Sequence, residues 1–308
     1  MNNLLQKTIL KPLFFKGIGL HSGKTSNLKI IPAKNDEGII FKRTDLPKNN
    51  TIEANFKNVA SAKLCTTLKN KFGNTVSTVE HLLAAFYIAG IDNAIVEVDN
   101  EEIPIMDGSS KDFVEKINEV GLKDLTAKRK FLKITKKVEY EENKKYISIE
   151  PSDDEFEVNF KLDYSNEVIG CQTNTVNFDK DNLKDIYSSR TFCLYEDIEK
   201  IKKIGLAKGG SLDNAVVVRD KEVLNSGGLR NKKEFVNHKI LDLAGDFLLS
   251  GYRVFGKVKC VQGGHLLTNS FLKELFLNVS NFERVLNNTA NISKNNFKTP
   301  VNKIAVNA

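Results

Sequence analysis

The sequence predicts an α+β protein built as two domains, and three observations carry that prediction. Its 308 residues suit two domains of ~150 residues each. Strand-like and helix-like runs are mixed along the chain without regular βαβ alternation. A helix-like segment stops at Gly121, and alternating strand-like sequence begins at Phe131. The boundary is therefore placed between residues 126 and 127. It divides an N-terminal domain, residues 1–126, from a C-terminal domain, residues 127–283.

In the first domain, residues 8–10 and 28–31 read as short strands flanking a Gly-rich turn over residues 16–23. Ser77 and Glu80 have the spacing of a capping box, predicting a helix that starts at Ser77 and is stopped by Gly90. Residues 94–98 read as a strand, 106–109 as a turn and 111–120 as an amphipathic helix. The second domain is strand-rich to about Asp163, with helical and loop segments to Gly210. A buried strand over 215–218, a long helix over 233–250, a strand over 256–261 and a final helix over 266–277 complete it. No acidic residue follows Glu283. Residues 284–308 therefore read as a weakly ordered basic tail.

Composition narrows the function. Hydrophobic residues make up 41% and charged residues 28%, which is a globular composition. Lys and Arg number 46 against 39 Asp and Glu, a surplus of +7 that suits an anionic partner. The longest apolar run, residues 81–91, is about half of the ~20 residues a membrane span needs. No signal peptide is visible at the N-terminus, and the four cysteines form no short-spaced pair. A reducing, cytoplasmic location is expected.

Histidine is rare, and its placement is informative. Along the 233–250 helix run Glu234, His238, Asp242 and Asp246, four residues apart, so neighbours stack on one face. His and Asp at that spacing either chelate one cation or form an ion pair on a solvent-facing edge. Glu80-His81 either supplies a ligand and a base to such a site or closes a cap and packs. Two His and one Asp make a three-ligand site with an open position, as hydrolytic zinc enzymes use. His265 follows Gly263-Gly264, glycines that let the backbone approach a substrate, and is an acid or oxyanion candidate. The 17–23 turn lacks the Gly-Lys-Ser/Thr ending of a P-loop, which argues against nucleotide binding of that kind.

These pieces occur in order within a known pattern. The blocks are Gly19-Leu20-His21-Ser22-Gly23, Cys65-Thr66-Thr67-Leu68, residues 77–85, Ile91-Asp92-Asn93 and residues 104–109. Ser189-Arg190-Thr191-Phe192, residues 205–211, Leu229-Arg230, residues 234–242, Gly245-Asp246 and Gly264-His265 follow. With them the sequence resembles the bacterial UDP-3-O-acyl-N-acetylglucosamine deacetylase family of lipid A biosynthesis, over residues ~5 to ~277. The resemblance implies two domains, each a small sheet packed against helices as a two-layer sandwich, with the active site between them. It implies zinc-dependent hydrolysis of the N-acetyl group of UDP-3-O-acyl-N-acetylglucosamine, releasing acetate, in a Gram-negative bacterium. His81, His238 and Asp242 would bind one Zn2+ per chain. The same ligand set suits Fe2+. Glu80 would be the base, and His265 and Thr191 would stabilise the oxyanion. Asp246 would hold and charge His265. Lys239, Phe192 and Leu206 would meet the substrate, and an insert over about 189–211 would line a passage for the acyl chain.

Some positions stand apart from the pattern's chemistry. Asn237 and Lys232-Lys233 depart from it and read as surface changes. Cys65 reads as a packed thiol, and His21 as structural or substrate-contacting. The enzyme is expected to be monomeric, with no nucleic-acid partner and no transmembrane segment. Two alternatives stand beside this reading: a metal-dependent deacylase of another N-acyl sugar on the same scaffold, and a basic nucleic-acid-binding protein. The second predicts an aromatic RNA-binding strand or a one-faced Lys/Arg cluster, and neither is visible.

Overall fold

The computed structural model describes residues 5–286. Two antiparallel-rich sheets face one another across a layer of helices. The first sheet has the spatial order Leu13–Ile18, Thr25–Pro32, Ala94–Val98, Ile39–Arg43, Thr51–Glu53. Its strands alternate as a half-buried sheet requires: Leu28 and Ile30 point inward from one strand, Phe41 from another, Val96 and Val98 from a third. Two helices cover that face, α1 (Glu80–Ala89) and α2 (Lys111–Val120). Phe113 of α2 meets Phe15 edge-on at 4.9 Å.

The second sheet has seven strands, with Arg253–Val261 at its centre, pairing with strands on both sides. Helices α3 (Lys184–Tyr187) and α4 (Tyr195–Lys203) lie in the excursion that follows strand Cys171–Asn177. Helices α5 (Glu234–Leu248) and α6 (His265–Leu277) pack on the sheet's inner face. A three-stranded sheet, Phe192–Leu194, Val216–Arg219 and Glu222–Val223, carries α4 as a crossover between its two parallel strands.

The sheets, helices and mixed connectivity are those of an α+β protein. Leu122–Lys128 pairs with Leu5–Ile9, so the link between the two sheets is itself a strand, and the expected boundary at 126/127 falls within it. Phe282–Leu286 pairs antiparallel with Lys130–Ile134, so residues 284–286 are edge strand where a tail was expected. The rest of that tail lies outside the described residues. Cys171–Asn177 is a strand where the sequence predicts helix or loop. Its inward positions are mostly polar, so its sequence lacks the apolar alternation that marks a strand.

Helix α1 is the structural centre. Leu82, Leu83, Ala84, Ala85 and Phe86 are wholly buried, because the helix lies between the first sheet's layer and α5. Each large side chain among them contributes about 1.5–3 kcal/mol by burial. Gly90 ends the helix at φ 86°, its N–H bonding the carbonyls of Phe86 and Tyr87. The start differs from expectation. The helix begins at Glu80 with no side-chain cap, and Ser77 instead bridges to Glu102 in an isolated pairing. Glu80 is drawn away from a capping role because its Oε2 accepts the Thr66 N–H at 3.0 Å.

Candidate active site

Helices α1 and α5 cross where Gly245 faces the backbone of Glu80. A Cβ at Gly245 would collide with the Glu80 carbonyl, so only glycine admits this approach. The crossing sets the first turn of α1 against the middle of α5. It brings Glu80 and His81 beside His238, Asp242 and Asp246, all at most 4% exposed. The stripe on α5 therefore faces the interior, and Glu234 at its start is fully buried.

His81, His238 and Asp242 converge, with one donor atom from each within 4.8 Å of the others. Asp242 Oδ1 stands 3.5 Å from His81 Nε2 and 3.4 Å from His238 Nε2. That oxygen is buried and makes no hydrogen bond. His238 Nδ1 donates to the Ser189 carbonyl at 3.0 Å, which leaves Nε2 as the free lone pair. Burial, with His81 and Lys239 nearby, pushes His238 down to about 3, so the ring is neutral at pH 7. Burial opposes ionisation of Asp242, but the surrounding imidazoles and Lys239 outweigh it and hold the carboxyl well below the usual range. Two imidazole nitrogens and a carboxylate oxygen, converging with an orphaned acceptor between them, fit a divalent cation.

Around this group lies a second set. His265 is the first residue of α6, one residue past the turn in which it was expected. Of the two glycines before it, Gly263 packs onto Cys260 and Phe160 of the core, while Gly264 caps the helix and faces open space. His265 Nδ1 lies 2.8 Å from Asp246 Oδ2, and its Nε2 lies 3.6 Å from Glu80 Oε1 and 3.8 Å from Asp242 Oδ2. Burial alone would lower His265, but Asp246, Glu80 and Asp242 lift it to about 10. Burial raises Glu80, against the pull of His265 and His81. The site thus pairs a charged imidazole with a carboxyl group shifted upward, environments that suit an acid and a base.

The substrate-side candidates differ in what surrounds them. Phe192 meets His238 edge-on at 6.3 Å and Phe235 at 4.9 Å. Lys239 turns its ammonium inward onto Asp242 Oδ2 at 2.8 Å and lies over the Phe192 ring. Burial lowers Lys239, but Asp242 outweighs it and raises it. Thr191 is half-buried, its N–H bonding Gly108 O at 2.7 Å. Leu206 is half-buried at the end of the α4 excursion, whose helix has no buried residue. His21 Nδ1 accepts the Ala207 N–H at 3.4 Å, tying the Gly-rich turn to that excursion. Cys65 is buried, and its thiol is pushed up to about 12 by burial and then by Glu80.

Three contributors escaped the sequence reading. Thr66 donates from Oγ1 to Asp246 at 2.7 Å as well as from N–H to Glu80, and so holds both carboxylates. The Ser189 carbonyl orients His238. Gly245 permits the helix crossing. Thr66 and Gly245 stood inside recognised blocks, but neither residue type by itself signals chemistry. Asn237 is a correction: it is 3% exposed and bonded to Asn174 and Asn231, so the departure there is an interior one.

A family model described as UDP-3-O-acyl N-acetylglycosamine deacetylase matches residues 6–277. A UDP-3-O-acyl-N-acetylglucosamine deacetylase of Geotalea uraniireducens is 43% identical over 271 residues, 88% of each chain. Proteins of the same name from Idiomarina loihiensis and Shewanella baltica are 41% and 40% identical, and the aligned region spans 91% and 92% of this chain and 92% and 93% of theirs. The chain belongs to the UDP-3-O-acyl N-acetylglycosamine deacetylase family.

Proposed function

We propose that the protein removes the N-acetyl group from UDP-3-O-acyl-N-acetylglucosamine with one Zn2+ held by His81, His238 and Asp242, acting in the cytoplasm as a monomer. Family membership makes it a metal-dependent deacetylase. The observation that carries the metal reading is Asp242 Oδ1, buried without a donor between the two Nε2 atoms. In this reading residues 1–126 supply Glu80 and His81, and residues 127–283 supply His238, Asp242 and His265.

A bound divalent cation supplies Lewis acidity toward the acetyl oxygen and lowers the pKa of water. The protein's own groups do the rest. Glu80 accepts the proton of the attacking water while the new C–O bond forms. Thr66 keeps the Glu80 carboxylate aimed through its N–H. His265 Nε2–H and the Thr191 hydroxyl donate to the acetyl oxygen as it gains charge. The C–N bond then breaks, and the departing amine takes a proton from His265 or from the protonated Glu80. Asp246 keeps the His265 proton on the ring and the ring in place. Phe192 packs against the sugar or the chain. The half-buried apolar side of the α4 excursion, with Leu194, Ile201 and Leu206, suits an acyl chain over about 189–211. Lys239 meets the substrate's polar part while neutralising Asp242.

The test is metal content by elemental analysis of the wild type and His238→Ala, with deacetylation followed in the same samples. About one metal per chain is expected, lost together with activity in the variant. A folded wild type that takes up no metal and stays inactive with added zinc would sink the reading. Full activity with iron(II) and none with zinc would replace the metal alone.

A further inference from the structure

Behind the cleft, a hydrogen-bonded chain runs from one candidate metal-binding histidine to the other. It starts at His238, whose Nδ1 donates to Ser189 O. The next residue, Arg190, is clamped by Glu234: its N–H and Nε donate to Oε1 at 3.1 and 2.8 Å, and Nη2 donates to Oε2 at 3.2 Å. The same Oε2 accepts the Arg230 N–H at 2.6 Å. Arg230 then reaches across the helix layer. Its Nη2 lies 2.8 Å from Asp107 Oδ2, while Nη1 donates to Ser188 O at 2.9 Å. Asp107 holds Ser109 through its other oxygen, at 3.0 Å to N and 2.7 Å to Oγ. Ser110 Oγ closes the chain, donating to the carbonyl of His81 at 2.6 Å.

Two features make this more than a surface ion pair. Glu234 is fully buried, so its charge is tolerated only because four donors satisfy it. The 107–110 turn is locked against the second domain's loops as well. Thr191 N–H bonds Gly108 O, and a Cβ at Gly108 would collide with Asn214 O. No member of the chain but the two histidines belongs to the candidate metal group.

We propose that Glu234, Arg230 and Asp107 form an interdomain strap that sets the spacing and orientation of His81 against His238. These three are positioning residues: they act through Ser189 and Ser110 and touch neither metal nor substrate. This rests on the metal reading above. The two histidines come from helices packed on different sheets, and the strap opposes a shift of one against the other. A metal site tolerates little of that, since groups orienting the ligands typically change affinity 10–100-fold when removed.

The test uses the full chain loaded with Co2+, with affinity read by chelator competition and ligand geometry by the visible absorption spectrum. Arg230→Met, Arg230→Lys and Glu234→Gln are compared with the wild type and with Arg219→Met, a surface ion-pair control. Melting of the metal-free proteins identifies any variant that fails to fold. Arg230 is the partly exposed member, so Arg230→Met decides the matter if Glu234→Gln does not fold. Arg230→Met is expected to weaken Co2+ binding about tenfold and to alter the spectrum, with Arg230→Lys between it and the wild type. Arg219→Met is expected to change neither. A folded Arg230→Met that keeps wild-type affinity and spectrum overturns the strap alone. A wild type that binds no Co2+ or Zn2+ overturns the metal reading and the strap with it.

Discussion

At the scale of single residues, the site works by giving like groups unlike surroundings. Glu80, Asp242 and Asp246 are all buried carboxylates, yet their neighbours differ. Asp242 faces three imidazoles and an ammonium, Asp246 faces His265 and Thr66, and Glu80 faces His265 with a backbone N–H behind it. His265 stays protonated through neutral pH because Asp246 sits 2.8 Å away. Asp246→Asn removes that charge while keeping the shape. Its expected effect is a fall in kcat of roughly 10²-fold or more at pH 8. The alkaline limb of the pH–rate profile should also move to lower pH, since His265 then loses its proton earlier. Rates measured from pH 6 to 10 check this, and an unmoved alkaline limb would remove Asp246 from its role. The same residue carries a stability term. His265 binds its proton more tightly folded, at about 10, than at the ordinary 6.5. Its contribution is therefore complete below ~6.5 and is lost as pH rises through about 10. The stripe from Glu234 to Asp246 was legible because its spacing of four is a helical face. Thr66 and the Ser189 carbonyl were not, since a backbone carbonyl has no residue signature and a buried threonine looks like any other.

At the scale of elements, the meeting of α1 and α5 makes the site. Each helix read correctly as a helix, because α1 is a continuous apolar run and α5 an apolar cylinder with one titratable stripe. The capping box at Ser77 and Glu80 did not form. The spacing was right, but tertiary partners, Thr66 for Glu80 and Glu101 and Glu102 for Ser77, competed for both ends. Gly245 decides how closely the helices approach. Gly245→Ala would force α1 away from α5, destabilising the protein by about 1–3 kcal/mol as an overpacked core. Activity is expected to fall far more than stability, because Glu80 and His81 move as a unit away from Asp242. Urea melts and kcat measured on the same preparation separate the two effects. Equal activity with a normal melt would mean that the crossing relaxes without disturbing the site.

At the scale of the whole molecule, neither sheet with its own helices holds a complete site. Glu80 and His81 ride on the first sheet's helix, and His238, Asp242, Asp246 and His265 on the second's. Residues 1–126 and 127–286, produced separately, are each expected to lack deacetylase activity. The first fragment would also bare the α5-facing side of α1. Activity assays on each fragment check this, and an active second fragment would overturn the shared site. Residue patterns alone determined the α+β class, marked the helices α1, α2, α5 and α6, and singled out the titratable side chains that stand as candidates. Those follow from local periodicity and from side-chain types whose acid–base or ligand chemistry is intrinsic. Only the tertiary structure decided that Asp242 Oδ1 is left without a donor, that His265 is charged, and that an edge strand occupies residues 284–286. It also decided that Asn237 is interior and that Glu234, Arg230 and Asp107 are hydrogen-bonded and ion-paired between the segments touching His238 and His81. Each of those depends on which distant groups share a buried, weakly screened space, and local sequence pattern carries no record of that neighbourhood.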